Sequence, residues 1–340
     1  MDANPILVEQ TRGDAVENRH RGAFVIADAD GNVIAAGGDI SRPVFPRSAI
    51  KSMQALAMVT SGAIDRFGLS DEQLALACAS HHGEEVHVTR VAGFLGGLGL
   101  SETNLECGAH QPTNGRARVA LRAAGLEPTA LHNNCSGKHS GMLSVAQALG
   151  VEPAGYVERE HPVQVAVRAA IEAVIGTPLS VDLCGRDGCS IPTWAAPLKG
   201  FAQGFAKMAT GRGLPPELGA ASGRIFDAAT ANPLLVAGTG HFDTLVMDAF
   251  GGRLMQKGGA EGVQCGAIRD KGWGYALKCD DGRMEASHVM VAELLLAHAD
   301  PDAAQRAVLE KSARLTIRNV RKLEVGEMRA SDEMKELLRG

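Results

Sequence analysis

The chain has 340 residues, with 34 Lys and Arg against 39 Asp and Glu and a formal net charge of −5. That length buries a sizeable core, and the missing basic excess excludes a nucleic-acid binder. The longest apolar runs, such as Val291 to Ala297, are too short to span a bilayer, so no membrane partner is expected.

Seven cysteines, an odd number, argue against a disulfide framework and for reduced thiols, some of them possible ligands. The first residues show no basic segment followed by an apolar one, and the expected location is cytoplasmic. Glycine stands at 41 of 340, above the usual ~7%, so tight turns and close backbone approaches are expected.

In chain order, Ile6 to Gln10, Gly22 to Ala27 and Asn32 to Ala36 read as strands. Asp-Gly between the last two is a hairpin signal. Ser48 to Thr60 reads as a helix after a loop bracketed by Pro43 and Pro46. Helical patterns follow at Asp71 to Cys78, Val86 to Phe94, Arg116 to Ala124, Gly141 to Leu149, Pro162 to Ile175 and Pro216 to Thr230. Thr244 to Phe250, Val263 to Ile268 and Gly274 to Lys278 read as strands, Met284 to His298 as a long helix, and Leu315 to Val320 as a last strand. Strands at both ends and helices between them point to an α/β (α+β) protein. The expected division is an antiparallel sheet domain from residues 1–45 and 240–340, with an inserted, mainly helical domain at 46–239.

Five segments carry possible chemistry. Ser48 and Lys51 lie i, i+3 at a helix start, where a partly buried lysine can serve as base for a serine nucleophile. Ser-x-x-Lys is also the spacing of penicillin-recognising serine enzymes; a plain helix cap beside a solvated lysine is the alternative. Cys78 to Gly83 places Ser80 before two histidines, and the spacing of His82 and His87 rejects the HExxH zinc-peptidase pattern. His132 to Gly141 is dense in small polar residues, but histidine at 132 and 139 excludes a phosphate loop.

Asp182 to Pro192 places Asp187 and Cys189 in one Gly-rich bend. Two distant thiols with a carboxylate and a nitrogen donor would suit zinc, although neither thiol is in a CxxC pair and buried structural cysteine is the alternative. Lys257-Gly258-Gly259 has the first and third elements of a Lys-Thr-Gly strand and lacks its hydroxyl. Gly93 to Gly99 is not a dinucleotide fingerprint.

Taken together, Ser41 to Lys51, Cys78 to Gly83, Asn133 to Gly141 and Cys184 to Cys189 resemble the asparaginase II family, the rhizobial-type, class 3 L-asparaginases. The resemblance implies a fold similar to serine β-lactamases and penicillin-binding proteins, and hydrolysis of L-asparagine to L-aspartate and ammonia. It implies two Ser-Lys pairs, Ser48 with Lys51 and Ser80 with Lys257. It further implies zinc at Cys135, Lys138 and Cys189, with a water as fourth ligand and Asp187 alongside, and a homodimer.

Arg47 and Asp187 are the expected holders of the substrate α-carboxylate and α-ammonium. Asn133, His139 and Gly188 complete the expected substrate contacts. The competing readings are a β-lactamase or peptidase, a glutaminase, and a non-catalytic zinc-binding protein.

Overall fold

The computed structural model describes residues 3–339, which divide into two compact units. One comprises the chain up to Ala49, Ala195–Gly213, and the chain from Leu245 onward; the other comprises Ile50–Trp194 and Leu214–Thr244. The protein is mixed α/β.

The first unit is built on an eight-stranded sheet. Along it run Arg314–Arg318, Glu324–Ala330, Ile6–Arg12, Ala15–Asp28, Trp273–Cys279, Val263–Ile268 and Leu254–Gly259, and Val33–Gly37 also pairs with Ala15–Asp28. Every pairing is antiparallel. The hairpin expected at Asp28 to Asn32 forms, with Asp28 Oδ1 accepting from the Asp30 and Asn32 N–H groups.

Val263–Ile268 and Leu254–Gly259 are buried at every position, as strands are when both faces of a sheet are covered. The helix Leu198–Thr210 packs on Ala15–Asp28 and Trp273–Cys279. A Cβ on Gly274 would lie 2.0 Å from the Ala202 carbonyl oxygen, so glycine is what lets this helix reach the sheet. The segment Ala195–Gly213 therefore belongs to the sheet unit, although it lies inside the stretch that the sequence reading assigns to the helical insert.

The strand expected at Thr244 to Phe250 is instead part of the helix Phe242–Phe250. Phe242, Asp243, Val246, Met247 and Phe250 are buried and Leu245 is exposed, the spacing of one helical face.

The second unit is mainly helical. Lys51–Thr60 is buried from Lys51 through Met58 and packs against Ser136–Leu149, Pro162–Ile175 and Pro216–Ala231. Ser136–Leu149 packs on Asp71–Ala77 and is buried from Ser136 through Ala146. A Cβ on Gly137 would lie 2.3 Å from the Leu76 carbonyl oxygen, so these two helices touch backbone to backbone. A short hairpin, Cys184–Arg186 with Pro192–Trp194, completes the unit.

Candidate active site

Three loops and a helix start converge in the helical unit. Lys51 is the first residue of Lys51–Thr60 and is fully buried. Ser80 follows Asp71–Ala77, and its own N–H donates to Val236 O at 2.8 Å. Cys135 precedes Ser136–Leu149, which carries Lys138 and His139 in its first turn. Cys189 sits in the turn of the short hairpin, closed by Asp187 N–H to Ile191 O at 2.8 Å and Ser190 N–H to Asp187 O at 2.9 Å. Ser190 there adopts φ 79°, the left-handed region that costs a non-glycine residue energy.

The Lys51 ammonium donates to Ser80 Oγ at 2.9 Å, to Cys135 Sγ at 3.1 Å and to the Ala79 carbonyl. Burial pulls Lys51 below the ordinary lysine range, partly opposed by the sulfur of Cys135. Lys138 Nζ donates to Cys189 Sγ at 2.9 Å. Burial disfavours its charge, but Cys135, Cys189 and Asp187 outweigh that and hold Lys138 above the ordinary range. Cys189 donates its S–H to Cys135, which lowers the Cys135 thiol well below its usual value, helped by the two lysines. The same bond raises Cys189. Two sulfurs thus lie between two amines.

The sequence reading pairs Ser80 with Lys257; in the structure Ser80 Oγ takes a hydrogen bond from Lys51. Ser48 itself belongs to the sheet unit, half-buried in the turn Arg47–Ile50. Arg47 adopts φ 52°. A Cβ on Gly259 would lie 2.7 Å from Pro46 O and 2.9 Å from Ala49 N, so the turn bearing Ser48 rests on the end of Leu254–Gly259. Lys257, on that strand, is buried and donates to Gly258 O at 2.7 Å.

Asn133 is fully engaged in holding its loop. Its Nδ2 donates to Cys107 O and Gly108 O at 2.9 and 3.0 Å, and its Oδ1 accepts from Cys135 N–H at 2.8 Å. Asp187 accepts from Gly188 N–H at 2.9 Å and has Cys189 Sγ at 3.8 Å, and Gly188 is exposed.

Three side chains of the site were invisible as a set. Tyr156 OH accepts from Glu106 N–H at 2.9 Å and shares a hydrogen bond with His139 Nδ1 at 2.6 Å. His139 Nε2 is buried and has no hydrogen-bond partner. Burial, with the charges of Lys138 and Lys51, pushes this imidazole well below the ordinary histidine range. His81, beside Ser80, accepts from Gly83 N–H at Nδ1 and bonds Ser136 Oγ through Nε2 at 2.8 Å. Both of its nitrogens are thereby spent on holding the loops. The only sequence signal for this network is polar residues on a helix start that is otherwise apolar.

A serine hydroxyl hydrogen-bonded to a buried lysine is equipment for acyl transfer. Three solved structures share features of the fold. The crystal structure of Mglu in its native form is 16% identical, with 86% of this chain and 63% of that chain covered and a TM-score of 0.45. A β-lactamase from Mycobacterium bovis is 13% identical over 86% and 94% of the two chains, with a TM-score of 0.38. Simvastatin synthase from Aspergillus terreus is 11% identical over 86% and 88%, with a TM-score of 0.37. The chain thus spans 63% of the length of Mglu. No curated protein matches the sequence. The chain belongs to the L-asparaginase II family, which it matches over residues 8–330.

Proposed function

We propose that the protein hydrolyses L-asparagine to L-aspartate and ammonia through an acyl-enzyme on Ser48. Beyond family membership, one observation carries this reading: a fully buried lysine, Lys51, one turn after a serine in sequence and hydrogen-bonded to a second serine at 2.9 Å.

Ser48 Oγ attacks the side-chain amide carbon, and Lys51, neutral before the attack, takes the hydroxyl proton. Burial supplies the bias toward that neutral form. Ser80, already bonded to Lys51, passes a proton toward the departing ammonia, with Lys257 as its second partner in this reading. Water then cleaves the ester, returning the Ser48 hydroxyl and releasing aspartate. His139 Nε2, buried and without a hydrogen-bond partner, is the ring atom left for a substrate contact. Arg47 and Asp187 supply opposite charges for the α-carboxylate and α-ammonium.

Cys135, Lys138 and Cys189 would hold zinc. The fit rests on their chemistry: two sulfurs and an amine, all buried, with Lys138 Nζ 2.9 Å from Cys189 Sγ and the two thiols hydrogen-bonded to each other. Bound there, zinc would balance the sulfur charge, tie the hairpin turn to the start of Ser136–Leu149 and offer the substrate carboxylate a positive anchor. In this reading the enzyme works in the cytoplasm as a homodimer.

The test is ammonia release from L-asparagine and L-glutamine by the unaltered chain, Ser48→Ala and Ser80→Ala, with mass spectrometry of a quenched reaction. Ser48→Ala is expected to abolish turnover and the acyl adduct. Ser80→Ala is expected to lower kcat by ~10²–10⁴-fold while the adduct on Ser48 still forms. Full activity in Ser48→Ala would remove Ser48 as nucleophile. Turnover of glutamine alone would move the assignment to a glutaminase.

A further inference from the structure

In the sheet unit, sharing no residue with the Cys135 set, three chemically different donors meet. Cys279 ends the strand Trp273–Cys279 and pairs with Gly22 of Ala15–Asp28. His20 lies two residues from Gly22 and therefore on the same face, diagonal to Cys279. Gly22 puts no side chain between them. Asp281 arrives from the turn that follows, which closes with Gly282 N–H on Cys279 O at 3.1 Å. Its Oδ2 bonds His20 Nδ1 at 2.7 Å and its Oδ1 accepts from Cys279 Sγ at 3.0 Å. The three candidate ligand atoms lie within 4.8 Å of one another.

We propose that His20, Cys279 and Asp281 form a site for a borderline divalent transition ion such as zinc. Nitrogen, sulfur and one carboxylate oxygen are the donors such ions select, whereas calcium and magnesium take oxygen. His20 and Cys279 are buried on rigid strands, while the Asp281 side chain is 49% exposed. An ion can enter from that side and complete its coordination with water. On binding, the Cys279 thiol proton leaves to solvent and the His20 proton moves from Nδ1 to Nε2. Asp281 holds the proton on Nδ1, while Nε2 is buried and has no hydrogen-bond partner, so no group behind the ring supports the tautomer that an ion needs. The same lack of a buttress makes the site weaker, by roughly 10–100-fold, than one whose histidine is held from behind. An ion here would fasten the turn leading into the helix Met284–His298 to the strand Ala15–Asp28.

Cobalt(II) is the probe, titrated into the full chelator-treated chain and its variants, with metal content and the sulfur–cobalt charge-transfer band as readouts. Cys279→Ser and His20→Gln are each expected to hold one equivalent fewer than the unaltered chain. Cys135→Ser is expected to retain a sulfur–cobalt band. Asp281→Asn, a change in a half-exposed turn that leaves packing alone, is expected to weaken the Cys279-dependent equivalent at least tenfold. It decides the matter if circular dichroism shows that the buried variants do not fold. Equal cobalt uptake and affinity in the unaltered chain and Asp281→Asn, or no sulfur–cobalt band in folded Cys135→Ser, would overturn the proposal.

Discussion

Gly137→Ala tests whether the contact between Ser136–Leu149 and Asp71–Ala77 sets the geometry of the site. The added methyl would lie 2.3 Å from the Leu76 carbonyl oxygen and 2.8 Å from its carbon. Ordinary contact begins near 3.4 Å, so the helices must part by roughly 1 Å, a displacement able to cost ~10²-fold in rate at a catalytic constellation. Helix Asp71–Ala77 leads into Ser80, and Ser136–Leu149 carries Cys135 at its start; Lys51 bonds both at 2.9 and 3.1 Å. One lysine cannot keep both bonds if their anchors separate. Stability should fall by ~1–3 kcal/mol, the usual cost of overpacking, and kcat for asparagine by about 10²-fold.

Gly141→Ala, one turn further along, is the internal control. Its methyl would meet the flexible end of Met58 at 2.7 Å and the Ala77 methyl at 3.1 Å, contacts that side chains can relieve. Urea denaturation and a coupled ammonia assay on the two variants measure the difference. Equal stability and equal kcat for Gly137→Ala and Gly141→Ala would refute the reasoning.

Two further outcomes follow from single side chains. Asn133→Ala removes three hydrogen bonds, two of them buried, and leaves two carbonyls and the Cys135 N–H without them. A loss of ~2–4 kcal/mol in urea denaturation is expected, at about 1 kcal/mol per bond, and a change under 0.5 kcal/mol, ordinary for a surface site, would contradict the stapling role. Glu84 accepts from Thr239 N–H at 2.8 Å and Thr239 Oγ1 at 2.7 Å. Partial burial works against its charge, but those bonds win and its carboxyl lies below the usual value. A lowered folded-state pKa stabilises the protein above the unfolded value, near 4.3, and the contribution fades as pH falls through the folded one. The stability gap between the unaltered chain and Glu84→Gln should therefore be full at neutral pH and shrink in acid. A gap that widens in acid would reverse the assignment.

Much of the architecture was legible from periodicity and punctuation. Pro162–Ile175 begins at its proline and stops before Gly176, which caps it at φ 67°, as the sequence reading places it. The hairpin at Asp28 was legible because Asp and Gly do local chemistry there. Thr244 to Phe250 was misread because the window starts two residues into the helix, where Leu, Met and Ala alternate with Thr and Asp. The helical face becomes visible only when Phe242 and Asp243 are included.

Leu198–Thr210 went unassigned to the sheet because its partner strands lie far away in sequence, and only Gly274 signals the close approach. At the site, Lys51 and Ser48 were legible as a local pair. The Lys51 bond to Ser80 joins residues 29 apart. The Tyr156–His139 bond spans 17. No local pattern encodes such distances.

The strand Ala15–Asp28 has a consequence for how the chain comes together. Its first half pairs with Ile6–Arg12, but its second half pairs with Trp273–Cys279, and Ile6–Arg12 itself pairs with Glu324–Ala330. Synthesised long before Trp273–Cys279 and Glu324–Ala330, these two strands can pair early with each other and with Val33–Gly37 but wait for second partners made some 250 or more residues later. At about 5–20 residues per second that wait lasts on the order of ten seconds to a minute. Throughout it, the run Gly22 to Ala27, buried in the finished fold, stands as an open edge of apolar backbone. Nascent-chain aggregation and chaperone demand should therefore concentrate on the first thirty residues, long before any catalytic side chain has met its neighbour.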